Sequence, residues 1–293
     1  MIFLKAFHLL PEMSEYWMIC QKKNIFNSLY PLKIFPEKEL EDIDFDTITI
    51  FCGGNGSGKT TLLNIIADKL EASRKNKIEL GELFDQYVAQ CSYEFFHKET
   101  CSEIKFIASD DVFDYLLDLR AINARVNRRK DELSEEYLNS KYDVDIDETL
   151  EQYEILKRKS DARRMTQSKY IRSRLVNNNL IQQSNGESAI DFWQKEIQEN
   201  AVYLIDEPEN SLSAENQLKL KHYIEESARF YDCQFIISTH SPFLLSLDHA
   251  KIYDLDAVPA RPRKWTELPN VRAYYQFFKE KEKEFMAADS HKE

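Results

Sequence analysis

The sequence predicts an α/β fold in which a mixed β-sheet is flanked by helices and interrupted by a helical insertion. Three observations support this prediction. An alternating apolar segment at 48–51 leads through a glycine-rich loop into a segment with helical spacing at 61–70. Two further apolar segments, 202–205 and 235–238, end in polar residues, as buried strands of a parallel sheet do at its functional edge. Residues 105–182 contain neither glycine nor proline and show helical spacing.

These patterns divide the chain into three segments. We expect residues 1–104 and 183–293 to form the two halves of one core, with residues 105–182 inserted between them as a helical lid or arm. The chain has 293 residues, of which 43% are hydrophobic, so it is long enough to bury a sizeable core.

Composition narrows the classes of function. A formal net charge of -12 argues against a surface coated in nucleic acid, although a local basic stripe is compatible with it. The five cysteines are odd in number and form no C-x-x-C pair, which favours reduced thiols. No segment approaches about twenty uninterrupted apolar residues, and the apolar N-terminus lacks a preceding charged region. We therefore expect a cytoplasmic protein with no membrane partner.

The strongest chemical signal is the loop that follows the first predicted strand, with the sequence GGNGSGKTT. Its glycines allow backbone angles that turn consecutive N–H groups toward a phosphate, and the following helix adds its positive end. In the pattern G-x-x-x-x-G-K-[ST], the lysine reaches the β and γ phosphates of a nucleotide and the next hydroxyl binds Mg²⁺. The predicted nucleotide-binding residues are Gly53, Gly54, Asn55, Gly56, Ser57, Gly58, Lys59, Thr60 and Thr61.

Two adjacent carboxylates follow the second predicted strand. We expect Asp206 to hold Mg²⁺ through water, together with the Thr60 hydroxyl, and Glu207 to polarise the water that attacks the γ-phosphate. The alternative is a pair of helix-capping residues before Pro208.

The third predicted strand ends in a threonine and a histidine. A histidine directly after a strand can form a hydrogen bond with a γ-phosphate and respond to its loss, so His240 is the candidate sensor. A purely structural histidine is the alternative interpretation of the same pattern.

A small polar loop, Ser184 to Glu187, precedes a helix expected over residues 189–197. Its bare hydroxyl and the N–H of Gly186 lie where a helix N-terminus can bind a phosphate. The same residues also fit a helix N-cap with Glu187 as its partner, and both interpretations can hold together.

The order of these motifs resembles ATPases of the ABC type, which include transporter motors, chromosome-maintenance and break-repair heads, and overcoming-lysogenization-defect-like proteins. The chain is most similar to bacterial AAA family ATPases of the small ABC-like branch, through the stretches GGNGSGKTTLLNIIA, SNGES, DEPENSLS and STHSPFLL. The resemblance implies a P-loop NTPase fold, ATP and Mg²⁺ as cofactors, ATP hydrolysis, and a head-to-tail homodimer around two ATP molecules. It also implies that Ser184 and Gly186 contact the γ-phosphate of an ATP held by the other protomer.

Three positions depart from the pattern of transporter motors. Asn185 and Glu187 replace the Gly and Gln expected there, and Ser213 stands where Asp is usual. These departures disfavour a transporter role.

The resemblance also implies a Mg²⁺-sensing glutamine at the end of an early strand and an aromatic residue that stacks on adenine. Gln90 is the candidate for the metal contact, and Gln86 competes with it. Phe26, Tyr30 and Phe35 are candidates for the adenine contact, with core packing as the alternative for each.

The insertion begins with a helix capped by Ser109. Further along, the stretch DVDIDETLEQYE at 143–154 resembles a calcium loop, but Glu148 stands where the sharp turn needs glycine. A capped helix start is therefore the expected structure, and we expect no metal besides Mg²⁺.

Residues 151–175 carry a local basic excess in this acidic chain. Such a stripe, interleaved with Tyr153 and Tyr170, is what contact with the phosphate backbone of double-stranded DNA requires, while solvated helix charge is the alternative. The basic residues are Lys157, Arg158, Lys159, Arg163, Arg164, Lys169, Arg172 and Arg174.

The C-terminal stretch returns to the core with a strand at 250–256 and ends in a helix over 274–286, whose charged repeat indicates a solvated face. The leading hypothesis is a nucleic-acid-associated ATPase from a defence or repair system that works with a separate effector protein. A nucleotide-gated module with little turnover is the second hypothesis, and a transport motor is the third.

Overall fold

The computed structural model describes residues 1–21, 29–76, 81–96, 100–142, 153–174 and 185–289. These residues fold into two compact units. The first comprises Met1–Val112 and Ala189–Glu293, and the second comprises Phe113–Ser188.

A six-stranded mixed sheet forms the centre of the first unit, in the order β5-β6-β7-β3-β8-β9. Its strands are β3 (Ile48–Cys52), β5 (Glu103–Ile107), β6 (Ala201–Asp206), β7 (Gln234–Ser238), β8 (Lys251–Asp254) and β9 (Pro262–Arg263). Every neighbouring pair is parallel except β8 and β9. The predicted α/β fold with a mixed sheet is confirmed.

Helices cover this sheet. They include α2 (Lys59–Lys69), which packs against β6 and β7, and α8 (Ala214–Phe230), which packs against β7. Every residue of β3, β6 and β7 is buried, as expected for central parallel strands. The register sets Phe51 and Asp206 on either side of Ser238, so these three strands end at one edge of the sheet.

A smaller antiparallel sheet in the order β2-β1-β4 packs beside it, formed by β1 (Leu4–His8), β2 (Asp42–Asp44) and β4 (Ser92–Phe95). The fully buried side chain of Gln234 joins β7 to this sheet. Its Oε1 accepts hydrogen bonds from the N–H groups of Phe3 (2.9 Å) and Leu4 (2.8 Å), and its Nε2 donates to the Leu4 carbonyl (2.8 Å). One side chain thus satisfies backbone groups that would otherwise be buried without partners.

The remaining helices of the first unit are α1 (Glu12–Gln21), α3 (Glu82–Gln90), α9 (Pro242–Leu245) and α10 (Pro269–Asp289), with 3₁₀ turns at Pro36–Lys38, Pro208–Ser211 and Trp265–Glu267. α7 (Asn185–Glu196) begins in the second unit and continues into the first. It starts four residues before the helix expected over 189–197. No described helix is both long and apolar enough to cross a membrane.

The second unit is helical, built from α5 (Tyr153–Arg164), α6 (Gln167–Arg174) and most of α4 (Ser109–Tyr142). The predicted start of the insertion at residue 105 lies inside β5, because residues 105–107 continue the pairing of this strand with β6. The strand therefore belongs to the sheet. Residues 143–152, which carry most of the calcium-like pattern, lie outside the described residues.

A small buried cluster holds the helices of the second unit together. It contains Tyr137, Ala162 and Tyr170, with the two tyrosine rings 5.4 Å apart. The Tyr170 hydroxyl donates to Glu136 (2.9 Å), and the Arg174 guanidinium lies 3.8 Å from the centre of the Tyr170 ring. The expectation that Tyr170 interleaves with the basic residues in a contact with a phosphate backbone is therefore wrong, because its ring is buried in this cluster.

Candidate functional site

The glycine-rich loop joins β3 to α2 at the edge where the parallel strands end. Its first and last glycines are required by close packing. A Cβ on Gly53 would lie 2.5 Å from Ser57 Oγ, and a Cβ on Gly58 would lie 2.9 Å from a methyl carbon of Ile34. Gly58 also has a φ of +96°, which L side chains rarely adopt. Side chains at these two positions would therefore clash with neighbouring residues.

Lys59 is the first residue of α2, and its side chain folds back along the loop. Its Nζ donates hydrogen bonds to the carbonyls of Gly53 (2.9 Å) and Gly54 (3.1 Å). The residue is buried, and its ammonium lies 3.5 Å from Glu207 Oε1. The predicted phosphate-binding cation therefore sits at the mouth of the loop beside the predicted catalytic carboxylate.

The buried carboxylate of Asp206 connects this loop to the strand ends. Its Oδ1 accepts a hydrogen bond from Thr60 Oγ1 (3.1 Å) and a second from the hydroxyl of Ser238. Burial raises the pKa of Asp206, whereas the hydrogen bonds from Ser238 and Thr60 lower it, and burial dominates. Thr60 and Asp206, predicted to share a metal ion, are thus in direct contact.

Glu207 occupies a strained turn directly after β6. Its φ of +46° is left-handed, and its N–H donates to the Ser238 carbonyl (3.0 Å). Its Oε2 accepts from the amide of Asn210 (3.0 Å), and its Oε1 lies 3.9 Å from His240 Nδ1. It precedes the 3₁₀ turn Pro208–Ser211 but makes no side-chain capping bond. The capping alternative is therefore unsupported for this residue.

His240 is held by a carboxylate that the sequence reasoning missed. Glu209 is buried, and its Oε1 accepts from Thr239 Oγ1 (2.6 Å), His240 N (2.8 Å) and Ser241 N (3.2 Å). The same oxygen lies 3.3 Å from His240 Nδ1. Glu209 thus fixes the turn that carries the histidine, whose ring is half exposed. In the sequence, the second glutamate of the stretch DEPEN is the feature that could have indicated this role.

Asp256 is a second missed residue. It follows β8, and its Oδ2 accepts a 2.7 Å hydrogen bond from the N–H of Gly54. This contact joins the start of the glycine-rich loop to the segment that follows the neighbouring strand β8. Because the two residues are 202 positions apart, no local pattern could have indicated the contact.

Not all predicted site residues lie where the sequence suggested. Gln90 ends helix α3 and not a strand, because Phe84, Tyr87 and Val88 form the buried face of a helix. The expectation of a strand-ending glutamine is therefore wrong for Gln90, and Gln86 lies on the same helix with its amide bonded to a glutamate one turn earlier.

The three aromatic residues considered for stacking on adenine differ in their positions. Phe35 is fully buried in the core, as the packing alternative predicts. Tyr30 is half-buried, and its hydroxyl donates to Thr61 Oγ1 (3.1 Å), next to the loop. Phe26 lies outside the described residues.

The signature residues lie in a different part of the chain. Gly186 is in the first turn of α7, within the second unit, and Ser184 lies outside the described residues. The contact expected of them with a nucleotide stays a prediction.

The loop fits a nucleotide phosphate, and the neighbouring oxygens fit Mg²⁺. The Ser57 hydroxyl oxygen is buried and has no hydrogen-bond partner among the described residues, so the loop holds an unused polar group. No group of three or more His, Cys, Asp or Glu in the described part of the chain could hold a metal by itself. Thr60 and Asp206 would therefore bind Mg²⁺ together with water and phosphate oxygens, which is the coordination this ion prefers.

The burial of Asp206 predicts a pH-dependent stability. Because its pKa is raised in the folded state, the folded chain loses stability as the pH rises through that pKa, and Asp206→Asn escapes this loss. We expect the free energy of unfolding of the variant minus that of the unsubstituted chain to be more positive at pH 7 than at pH 4. Urea unfolding without nucleotide or Mg²⁺ measures it, with the exposed Asp114→Asn as control. A relative gain larger at pH 4 would contradict the assignment.

Comparison with known proteins places the chain in a family. The AAA domain model AAA_23 matches residues 29–252. The SMC head domain from Thermotoga maritima is 14% identical, with 90% of this chain and 99% of that chain covered at a TM-score of 0.38. An inward-facing conformation of a metal-chelate type ABC transporter is also 14% identical, with 94% and 89% covered at a TM-score of 0.40. No curated protein matches. The family model spans most of the chain, which therefore belongs to the AAA_23 family of AAA domains.

Proposed function

We propose that this chain is an ABC-type ATPase that binds ATP with Mg²⁺ and hydrolyses it to ADP and phosphate. The observation that carries the proposal is the convergence of five predicted residues at one sheet edge. Lys59, Thr60, Asp206, Glu207 and His240 come from three different elements and are linked by distances of 3.1, 3.5 and 3.9 Å. Membership of an AAA domain family supports the use of a nucleotide. Membership of the overcoming-lysogenization-defect-like branch of these ATPases is part of the same proposal.

Each of these residues has a separate task in the proposed reaction. The loop N–H groups and Lys59 bind the β and γ phosphates, and Thr60 with Asp206 holds the metal ion. Mg²⁺, when bound, neutralises charge that develops on the phosphate oxygens. Glu207 accepts a proton from the attacking water while the oxygen of that water forms a bond to the γ-phosphorus. The bond between the γ-phosphorus and the β-phosphate oxygen breaks, and its electron pair stays on the oxygen of ADP.

The neighbours of Glu207 suit this task. Asn210 holds one of its oxygens, which leaves the other directed toward Lys59 and His240. His240 would donate a hydrogen bond to the γ-phosphate, and hydrolysis would remove the acceptor of that bond. Glu209 acts through His240 and is a positioning residue.

Substitutions at Lys59 and Glu207 are expected to separate binding from chemistry. Lys59→Ala removes the charge that holds the phosphates and should abolish ATP binding, whereas Glu207→Gln should keep binding and lose about a hundredfold in turnover. Calorimetric titration with ATP and a phosphate-release assay measure the two effects. Lys69→Ala, at the far end of the same helix, is the matched control.

Two outcomes would change the assignment. Equal loss of ATP binding in both variants would make Glu207 a metal-binding or structural residue. ATP binding without turnover in the unsubstituted chain would favour the nucleotide-gated module.

We propose further that two chains pair head to tail and that Ser184 and Gly186 complete the ATP site of the partner. The support is the resemblance of SNGES to the signature loop of ABC-type ATPases, together with the position of Gly186 at the start of α7. A phosphate at a helix N-terminus is stabilised by the free N–H groups and the dipole.

Mixing inactive variants tests this arrangement. Lys59→Ala and Gly186→Asp are each expected to be inactive, but their mixture should regain part of the turnover, because one site of each mixed dimer is then intact. Lys59→Ala mixed with Glu207→Gln is the matched control and should stay inactive, since both substitutions impair the site on the same chain. Phosphate release from the mixtures is the measurement, and no recovery in the first mixture would exclude composite sites.

A nucleic-acid-associated role, in defence or repair with a separate effector protein, is the biological context we propose. One observation favours contact with double-stranded DNA through residues 151–175. The side chains exposed on α5 and α6 include Arg163, Arg164, Lys169 and Arg172. Arg174 does not belong to this set, because it pairs with Asp161 at 3.3 Å and stacks on Tyr170.

The salt dependence of DNA affinity tests this interaction. Replacing Arg163, Arg164, Lys169 and Arg172 by alanine should weaken binding and reduce the slope of log affinity against log salt by about 0.9 for each phosphate that is no longer neutralised. Fluorescence anisotropy on a labelled duplex, with and without ATP, is the measurement. The matched control replaces four basic residues of α4, namely Arg125, Arg128, Arg129 and Lys130. No binding by the unsubstituted chain at low salt would refute the proposal.

A further inference from the structure

Helix α10 (Pro269–Asp289) exposes an unusual amount of aromatic surface. Val271 is its one buried residue in the stretch 269–286, and every residue from 272 to 286 is exposed. The large apolar side chains that face solvent are Tyr274, Tyr275, Phe277, Phe278, Phe285 and Met286, each between 48% and 67% exposed. Most helices in proteins are stabilised by packing of an apolar face, and contiguous exposed apolar surface usually marks an interaction site.

Most of these side chains share one face of the helix. Val271, Phe278 and Phe285 repeat every seven residues, so they follow one another along a stripe. The rings of Phe278 and Phe285 are 6.1 Å apart. Tyr274 and Tyr275 lie on either side of this stripe. The aromatic face therefore continues the face that Val271 buries in the core and extends it beyond the edge of the core.

The flanks of this face carry charges of both signs. At about 100° per residue, Lys279 and Glu282 lie on one flank of the stripe, and Lys281 and Glu284 lie on the other. The six residues 279–284 alternate lysine and glutamate and have no net charge, in a chain whose net charge is -12. A partner surface of a single charge sign would be repelled by half of these side chains. A surface with the same alternation would not.

We propose that the aromatic face of α10 is an interface between two copies of this chain, paired antiparallel about a two-fold axis between Lys281 and Glu282. Phe278 then lies at the level of Phe285 of the second copy, and Phe285 at the level of its Phe278. On one flank Lys279 meets Glu282 of the second copy, and on the other flank Lys281 meets its Glu284. Each attraction occurs twice, because a two-fold interface is self-complementary.

This pairing is independent of the proposed ATPase function. It uses neither the phosphate loop nor the signature residues, so it is expected without nucleotide. Lys59→Ala should lose ATP-dependent association but keep the pairing through α10. Disruption of the α10 interface should leave ATP binding by a single chain unchanged.

Charge reversal gives the sharpest test. An acidic variant, Lys279→Glu with Lys281→Glu, and a basic variant, Glu282→Lys with Glu284→Lys, each place like charges against each other across the interface. Without nucleotide, we expect each variant to associate with itself about tenfold or more weakly than the unsubstituted chain, and an equimolar mixture to regain association. Sedimentation velocity with a fluorescent label on the acidic variant measures the mixed species.

A second variant removes the apolar surface. Phe278→Ser with Phe285→Ser should also abolish self-association, whereas Phe230→Ser, an exposed phenylalanine at the end of α8, should not. All of these side chains are exposed, so circular dichroism should show an unchanged fold. A monomeric unsubstituted chain at tens of micromolar, self-association unaffected by charge reversal, or no association in the mixture would each overturn the proposal.

Discussion

The hydrogen bonds of Asp206 are the constraint on which the rest of the site depends. A buried carboxylate is costly unless donors surround it, and here one oxygen accepts from Thr60 at the start of α2 and from Ser238 at the end of β7. One side chain therefore fixes the phosphate loop, β6 and β7 relative to each other. Glu207 is the next residue, so its distance to Lys59 follows from the same arrangement.

Two further carboxylates position groups that are proposed to touch the nucleotide. Glu209 holds the backbone and the ring of His240, and Asp256 holds the N–H of Gly54. Each comes from a segment just beyond the end of a parallel strand, where the sheet brings distant parts of the chain together. Glu207 is the carboxylate that lies 3.5 Å from the buried ammonium of Lys59, and the addition of phosphate and Mg²⁺ would change the charge that both side chains meet.

The base of α10 is connected to this site. The side-chain amide of Asn270 donates a 3.2 Å hydrogen bond to the carbonyl of His240, and Val271 packs into the core beside it. The turn that carries the proposed γ-phosphate sensor therefore contacts the helix that carries the proposed interface.

Local patterns in the sequence determined the strand, loop and helix around Lys59 and the strands that end at Asp206 and His240, because hydrophobic periodicity and glycine spacing act over a few residues. The tertiary structure decided the contacts of Glu209 and Asp256, which join residues about 30 and 202 positions apart. It also decided that Gln90 ends a helix and that Tyr170 is buried. The tertiary structure likewise decided that the aromatic face of α10 is exposed. Its sequence is compatible with a packed or an open helix, and only the position of the core, which reaches no farther than Val271 within the stretch 269–286, distinguishes the two.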